Sequence, residues 1–365
     1  MIIRKLTLHD FRNVPEAALS FSGIRQFFVG GNGQGKTNLL EAAGFLTALR
    51  SFRASDSRQV IMHGRPEAGI SALLEHEGQG TCLVAAKVRR DGKELWRDGE
   101  RVTRLADHVG RVPTVVLSSQ DIQLLRGTPA MRRRWLDLAI ASADGEYLAA
   151  LQTYGRALAG KAALLRRHGA SVGEIAAFDR ILAPSGSRVV ELRSTRLGEL
   201  AAAFSEAYAR VSGGAEGAGV RYETDLAGAT ADALLARLEA GRSADIRMGS
   251  SQVGPHRDDL SLEIAGVSAR SFASEGQQRS AMLALKLAQA SWTHARVGMR
   301  PVLLADDVLG ELDADRRKRF WASLDPESQV IATGTALPDG LGDWQVFTVA
   351  AGRFDPDPRS MGAQV

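Results

Sequence analysis

Residues 30–37, Gly-Gly-Asn-Gly-Gln-Gly-Lys-Thr, match the pattern GxxxxGK(S/T) of a phosphate-binding loop. Residues 26–29 before the loop read as a buried strand, and leucine and alanine recur at helical spacing over residues 39–49 after it. A strand, a glycine-rich loop and a helix in this order bind phosphates, because backbone N–H groups and the helix N-terminus face the anion. The chain is therefore predicted to be an α/β protein with a nucleotide-binding core.

Each position of this loop has a predicted role in binding ATP. Lys36 is expected to reach the β- and γ-phosphates, and the Thr37 hydroxyl is expected to bind Mg²⁺. Arg12 adds a phosphate ligand if its strand lies beside the loop, although an edge-strand arginine exposed to water is an equal alternative. The residues predicted to bind the nucleotide here are Gly30, Gly31, Asn32, Gly33, Gln34, Gly35, Lys36, Thr37 and Arg12.

The amino-acid composition indicates a globular protein of a reducing compartment. A chain of 365 residues that is 44% hydrophobic and 24% charged is typical of a globular protein with about two domains. The single cysteine, Cys82, excludes an internal disulfide and suits a reducing compartment. The charged N-terminus does not resemble a secretory signal and no apolar run has membrane-spanning length, so we expect a cytoplasmic protein without a membrane partner.

The middle of the chain differs from its two ends in amino-acid composition. Residues 123–244 are rich in Ala, Leu, Arg and Glu, and their apolar residues recur at helical spacing. Pro184-Ser185-Gly186 is predicted to separate two long antiparallel helices. We therefore predict an ATPase head formed by residues 1–122 and 245–365, with residues 123–244 inserted as a mainly helical arm.

A second motif, Ser274-Glu275-Gly276-Gln277, begins a predicted helix. As a capping box, Ser274 would be the N-cap and Gln277 the third helical residue. That interpretation does not explain Gly276, which is unfavourable in a helix but lets another group approach the backbone closely. Ser274, Gly276 and Gln277 are therefore candidates for a second phosphate-binding helix end.

A third motif, Pro301 to Asp307, reads as a buried parallel strand that ends in two carboxylates. Ligands in open α/β sheets bind beyond the carboxyl ends of the strands, so Asp306 is predicted to lie near the Mg²⁺ held by Thr37. Asp307 is predicted to orient or activate the water that attacks the γ-phosphate. The adjacent acids Asp258 and Asp259 are a weaker metal or acid-base candidate, because neighbouring strand residues point to opposite faces.

The order of these motifs resembles that of ATP-binding-cassette (ABC) ATPases. Further short sequence segments, spread over nearly the whole chain, resemble those of the RecF family of bacterial recombination mediators. They are FRN at 11–13, GKTNLLEA at 35–42, SFR at 51–53, GTPAMRRRWLD at 127–137, GPHRDDL at 254–260 and SEGQQRS at 274–280.

The resemblance implies an ABC-type head similar to that of SMC proteins, with a mixed sheet, that dimerises on ATP. Each nucleotide would lie between Lys36 and Thr37 of one copy and Ser274, Gly276 and Gln277 of the other. Gln120 would occupy the place of the Q-loop that senses Mg²⁺ and the attacking water, and Asp313 would match the D-loop aspartate. Thr333 is a candidate for the switch position.

The function implied is an ATP-gated clamp with weak DNA-stimulated ATPase activity. By resemblance it would bind gaps and junctions of single- and double-stranded DNA and, with mediators of the RecO and RecR type, help load the recombinase RecA in repair and replication restart. Arg132, Arg133 and Arg134 are predicted to contact DNA phosphates, although arginines on a solvated helix face are an alternative.

Two other classes of protein were weighed against this function. A transporter ATPase subunit would share the motifs but does not need the arm. A small-molecule kinase would leave the SxGQ helix without a purpose.

Overall fold

The computed structural model describes residues 1–54, 56–76, 80–167, 171–214, 216–308, 314–337 and 343–357. The chain forms two compact units. The nucleotide unit comprises Met1–Asp121, Ala207–Ala215 and Ser280–Val365, and the arm unit comprises Ile122–Glu206 and Glu216–Arg279. The domain boundaries expected at 122/123 and 244/245 stay a prediction.

The elements are numbered in chain order. The strands are β1 (Ile2–Phe11), β2 (Val14–Ser20), β3 (Arg25–Val29), β4 (Glu67–His76), β5 (Gly80–Arg89), β6 (Lys93–Arg97), β7 (Glu100–Arg101), β8 (Thr114–Ser118), β9 (Ala218–Glu223), β10 (Asp259–Ile264), β11 (Val267–Ser268), β12 (Val302–Asp306), β13 (Val330–Gly334), β14 (Gln345–Ala350) and β15 (Arg353–Pro356). The α-helices are α1 (Lys36–Ala48), α2 (Gln123–Arg126), α3 (Pro129–Ala141), α4 (Gly145–Leu165), α5 (Val172–Ser212), α6 (Ala231–Met248), α7 (Ala269–Phe272), α8 (Glu275–Val297) and α9 (Ala314–Ser323). In the part of the chain that the structure describes, no helix is both long and apolar enough to span a membrane.

One sheet of the nucleotide unit carries the phosphate loop. Its strand order is β15-β14-β3-β13-β12-β8, and all neighbours pair in parallel except β15, which is antiparallel to β14. Asp306 at the end of β12 is in register with Thr333 of β13 and Ser118 of β8. The carboxyl ends of these strands therefore lie at one edge of the sheet, where the loop after β3 also begins.

The second sheet of the nucleotide unit, β2-β1-β4-β5-β6-β7, is antiparallel. Along β4, buried and half-buried residues alternate, as expected for a strand with one face on the core. Helix α1 contacts β8, β12 and β13 of the first sheet and β1, β4 and β5 of the second. Because α1 is packed between two sheets, it is apolar on both sides, and Phe45 and Leu46 are fully buried.

The arm unit is mainly helical, with a three-stranded antiparallel sheet of order β11-β10-β9. The helix break predicted at Pro184-Ser185-Gly186 is wrong, because α5 continues through all three residues. Ser185 Oγ donates a hydrogen bond of 2.6 Å to the Ile181 carbonyl, one turn earlier. Proline costs a helix one backbone hydrogen bond, and burial of the apolar side of α5 outweighs that cost here.

Gly186 has a packing role instead of a helix-ending role. A Cβ atom at this position would lie 3.0 Å from the Tyr154 ring and 3.1 Å from the Leu234 side chain. Glycine therefore lets α5 lie close to α4 and α6.

A buried ion cluster also joins these three helices. Lys161 Nζ of α4 lies 2.6 Å from Asp179 Oδ1 of α5 and 2.7 Å from Asp245 Oδ2 of α6. Arg242 Nη2 of α6 adds a 3.0 Å contact to Asp179 Oδ2. The two carboxylates thus have two cations as partners, as buried charges require.

Candidate nucleotide-binding site

The phosphate loop needs glycine at two positions for different reasons. A Cβ atom at Gly30 would lie 2.3 Å from the Val349 carbonyl oxygen, so only glycine fits beside β14. Gly35 is the N-cap of α1 and has φ of 113°, a conformation that other residues rarely adopt. The loop therefore turns sharply into the start of α1, whose N-terminal N–H groups can face an anion.

Lys36 crosses over this loop. Its Nζ donates hydrogen bonds of 2.6 and 2.8 Å to the carbonyl oxygens of Gly30 and Gly31, and the residue is 6% exposed. The Lys36 side chain thus lies directly beside the loop, where the predicted contact with nucleotide phosphates requires it.

Residues outside the loop hold it in place. Asn13 Nδ2 donates to the Gly33 carbonyl at 3.1 Å, and Asn38 Nδ2 donates to Asn13 Oδ1 at 2.7 Å. Gln34 Oε1 accepts from the Ala351 N–H at 2.7 Å. Gln34, predicted as a nucleotide ligand, thus also ties the loop to the turn after β14, and Asn13 is a positioning residue that the loop motif does not reveal.

Oxygen atoms from three elements converge beside the loop. The Thr37 hydroxyl donates to Asp306 Oδ1 at 2.8 Å, and the Thr333 hydroxyl donates to the same oxygen at 3.0 Å. Burial raises the pKa of the Asp306 carboxyl, while the hydrogen bonds from Thr37 and Thr333 act in the opposite direction. Thr37 and Asp306, the two predicted metal ligands, are therefore adjacent.

These oxygen donors fit Mg²⁺. The ion commonly takes one or two protein oxygens and completes its shell with water and substrate phosphates. Among the described residues, no group of three or more His, Cys, Asp or Glu side chains could hold a metal by itself. A magnesium ion at Thr37 and Asp306 would therefore depend on the phosphates of a bound nucleotide.

Asp306 and Asp307 both line the cleft beside the loop, which has a volume of about 270 Å³. Its lining residues are Asn32, Gly33, Gly35, Lys36, Thr37, Asn38, Arg53, Ser119, Asp306 and Asp307. Consecutive residues of a strand point to opposite faces, but Asp307 leaves the strand with φ of 54°. Its N–H donates to the Thr333 hydroxyl at 3.2 Å, which supports this left-handed conformation.

Arg12 is engaged by a carboxylate. Its Nε and Nη2 atoms donate to the two oxygens of Glu41 at 2.9 and 2.6 Å, and Glu41 is fully buried. Arg12 does not line the cleft, whereas Arg53 does, with its Nη1 2.7 Å from Asn38 Oδ1 and 3.4 Å from Glu41 Oε2. The structure thus identifies Arg53 as a candidate phosphate ligand that the loop motif did not reveal, and the role of Arg12 in nucleotide binding stays a prediction.

Gln120 and Asp313, two of the residues assigned by resemblance alone, differ in what the structure shows. Gln120 is exposed, and the adjacent Ser119 lines the cleft in its place. Asp313 lies outside the described residues. The catalytic role of Gln120 and the dimer contact of Asp313 stay predictions.

Ser274 and Gln277 form the expected capping box at the start of α8. The Ser274 N–H donates to Gln277 Oε1 at 2.7 Å, and the Gln277 N–H donates to Ser274 Oγ at 3.3 Å. Ser274 is exposed and Gly276 is half-buried. None of the residues from Ser274 to Gln277, all of which are described, lines the cleft around Lys36.

The three arginines predicted to contact DNA have different environments in the arm unit. Arg132 is 5% exposed, and its Nε and Nη2 atoms each lie 2.7 Å from a carboxylate oxygen of Asp259. Arg133 Nη1 donates to the Asp258 carbonyl at 2.6 Å, and burial lowers the pKa of this guanidinium. Arg132 is thus engaged in an ion pair within the arm unit, and the DNA contacts expected of Arg132, Arg133 and Arg134 stay predictions.

The acidic pair Asp258 and Asp259 has the matching structural role. Asp258 accepts a hydrogen bond from Tyr222 and lies 3.7 Å from Arg193, and Asp259 binds Arg132. Arg193 also donates to the Pro255 carbonyl at 2.7 Å and to Asp137 at 2.7 Å. Side chains of the segments GTPAMRRRWLD and GPHRDDL therefore help to hold the arm unit together.

Replacing Arg132 with alanine is expected to destabilise the protein by about 2 kcal/mol, because Asp259 would lose its partner at a largely buried site. Urea unfolding monitored by circular dichroism measures this change. Arg188→Ala is the matched control: Arg188 pairs with Glu146 at the surface, so its loss should cost less than about 1 kcal/mol. Equal midpoints for the two variants would contradict a structural role for Arg132.

The chain matches the family RecF/RecN/SMC N terminal domain over residues 2–336. A DNA replication and repair protein RecF from Synechococcus sp. strain JA-3-3Ab is 36% identical over 377 residues, spanning 99% of each chain. The corresponding protein from Thermosynechococcus vestitus is 36% identical over 365 residues and 96% of each chain.

Solved structures agree with this result. The recombination mediator protein RecF-ATP of the RecFOR pathway superposes with a TM-score of 0.87 at 29% identity, over 97% of each chain. An SMC head bound to the C-winged helix domain of ScpA gives a TM-score of 0.55 at 19% identity, over 99% of each chain, which is evidence for the fold alone. The predicted fold, an ABC-type head with a mixed sheet and an inserted helical arm, is confirmed.

Proposed function

Because the chain belongs to the RecF family, we propose that it is an ATP-dependent DNA-binding protein that acts as a dimeric clamp in DNA repair. The observation that carries this proposal is the convergence of Lys36, Thr37, Asp306 and Asp307 on one cleft of the nucleotide unit. A cation, a hydroxyl and two carboxylates in one cleft are the groups that bind and hydrolyse ATP with Mg²⁺. The relative solved with ATP supports the choice of nucleotide.

Each residue of the cleft has a separate proposed role in binding or hydrolysing ATP. Lys36 and the N–H groups of the loop bind the phosphates, and Thr37 with Asp306 would hold Mg²⁺. Mg²⁺ held there would supply neutralisation of the charge that develops on the phosphates. Asp307 accepts a hydrogen bond from the attacking water and orients it toward the γ-phosphorus, so that its loss should affect turnover more than binding.

The second half of the ATP site comes from another copy of the chain. Ser274, Gly276 and Gln277 lie at the start of a helix, where N–H groups and the helix dipole favour an anion. We assign them to the ATP of a second copy because the resemblance to ABC-type ATPases implies a nucleotide shared between two copies. ATP then joins two copies into a closed homodimer, and hydrolysis separates them.

DNA is the proposed partner of this dimer. Contacts of Arg133 and Arg134 with backbone phosphates would make binding sensitive to salt and weakly dependent on base sequence. In the cell, the clamp would mark gaps and single- to double-strand junctions and, with proteins of the RecO and RecR type, help load RecA. A transporter ATPase subunit would also have the nucleotide cleft, but it would not need the arm unit.

The proposal predicts that ATP tightens DNA binding. Fluorescence anisotropy with a gapped duplex at fixed salt should give an affinity about tenfold higher with ATP than without it. Lys36→Ala and Ser274→Arg should bind DNA without responding to ATP, the first because it does not bind nucleotide and the second because it does not dimerise. A fully paired duplex of equal length tests the preference for gaps.

Two outcomes would contradict the proposal. If the wild-type protein binds the gapped duplex equally well with and without ATP, ATP does not gate a clamp. An ATP response retained by Ser274→Arg would show that closure does not use this residue in trans. Sedimentation of each variant with ATP identifies which step is affected.

A further inference from the structure

The side chain of Gln277 is fully engaged within its own chain. Gln277 Nε2 donates hydrogen bonds to Glu216 Oε1 at 2.9 Å and Oε2 at 2.7 Å. Its Oε1 accepts from the Ser274 N–H, which also defines the orientation of the amide, because a donor lies on one side and a carboxylate on the other. Glu216 therefore holds the group that we assign to the nucleotide of a second copy.

A carboxylate resembles a γ-phosphate in the two properties that matter here. Both are anions, and both present oxygen atoms that accept N–H donors in the first turn of a helix. Gln277 lies in the first turn of α8, so its amide and the helix dipole favour a negative charge at this place. Glu216 supplies that charge from within the chain.

From this geometry we infer that Glu216 is a positioning residue that raises the ATP concentration needed for two copies to close. The inference rests on the proposed function, because it concerns the same in-trans site. A γ-phosphate that approaches Gln277 meets the Glu216 carboxylate, and two like charges at hydrogen-bonding distance repel each other. Closure therefore requires Glu216 to leave Gln277.

Two observations on Glu216 and the residue after it bear on this movement. Glu216 is half-buried, so part of this residue is exposed to solvent. The next residue is anchored, since the Gly217 carbonyl accepts the Ala265 N–H at 2.8 Å. We therefore expect release of Gln277 to involve a new side-chain rotamer of Glu216 and no change in the sheet that β9 and β10 form.

The test compares Glu216→Gln with the wild-type protein. Glutamine keeps the shape and an oxygen acceptor for Gln277 but removes the charge. Glu206→Gln is the matched control, because Glu206 is an exposed carboxylate on α5 in the same unit. Light scattering measures the dimer fraction as a non-hydrolysable ATP analogue is titrated in Mg²⁺, and the half-saturating concentration is compared.

We expect Glu216→Gln to lower the half-saturating concentration about fivefold and Glu206→Gln to leave it unchanged. The affinity of monomers for the analogue, measured in the Ser274→Arg background, should be the same with and without Glu216→Gln. A purely structural role for Glu216 predicts weaker dimerisation, which is the opposite direction. Far-UV circular dichroism of each variant confirms folding.

The remaining outcomes separate the two proposals. If wild type dimerises and Glu216→Gln needs as much analogue or more, the role of Glu216 is overturned and the in-trans site stands. An equal gain from Glu206→Gln would show a general effect of surface charge and also overturn it. If the wild-type protein stays monomeric at every analogue concentration, the proposed closure fails and the inference fails with it.

Discussion

Alanine in place of Lys36 is expected to lower the affinity for ATP by at least about 100-fold, the largest binding effect that one substitution should have here. Lys36 is 6% exposed and its Nζ lies against the carbonyl oxygens of Gly30 and Gly31, so its loss removes a positive charge held directly beside the loop. Isothermal titration calorimetry with ATP and Mg²⁺ measures the change. Dimerisation and the ATP response of DNA binding should be lost together.

Lys87→Ala is the control for this variant. Lys87 lies on β5, its side chain is 47% exposed, and its Nζ is 3.8 Å from Glu67 Oε1. Its substitution removes one positive charge, as Lys36→Ala does, but from the protein surface. The affinity of Lys87→Ala for ATP should stay within about twofold of wild type, since exposed charges are screened by water and salt. Tight ATP binding by Lys36→Ala would contradict the assignment of the phosphate loop.

Asparagine in place of Asp307 is expected to lower ATP turnover by about 100- to 1,000-fold and to leave ATP binding nearly unchanged. The substituted side chain would keep the shape of the original and lose the carboxylate that orients the attacking water. The hydrogen bond from the backbone N–H of this residue to Thr333 is unaffected, so the backbone conformation should persist. Phosphate release under saturating ATP measures turnover, and the ATP-bound dimer should accumulate.

Asp306→Asn is the informative comparison, because it changes the neighbouring carboxylate. Asp306 accepts from Thr37 and Thr333 and is assigned to Mg²⁺, so its substitution should raise the Mg²⁺ concentration required for ATP binding. Asp307→Asn should leave that requirement unchanged. Turnover by Asp307→Asn within about twofold of wild type would show that another group orients the water.

The features that sequence predicted well are those in which neighbours along the chain define the structure. The loop at residues 30–37 needs only a preceding strand, glycines and a following helix, and all three lie within one short segment. The same holds for the strand that ends at Asp306 and for the capping box of Ser274 and Gln277. Side-chain periodicity and local hydrogen bonding determine such elements before any long-range contact forms.

Local sequence does not determine which partners the charged residues bind. Arg12 binds Glu41, 29 residues away, and Arg132 binds Asp259, 127 residues away. An arginine in a basic run looks the same in sequence when it faces solvent as when it pairs with a buried carboxylate. The basic run therefore predicts a DNA contact for Arg132, whereas its burial and its ion pair with Asp259 are visible only in the tertiary structure.

The sequence alone determined the ABC-type core, the residues of the phosphate loop, the order of the motifs and the presence of a helical insertion. Tertiary structure decided that α5 continues through Pro184, that Asp307 turns into the cleft beside Asp306, and that Glu216 holds Gln277. Each of these depends on burial or on a partner distant in sequence, such as the 61 positions between Glu216 and Gln277. The energy of a charge or a strained backbone is set by the atoms packed around it, and folding alone brings those atoms together.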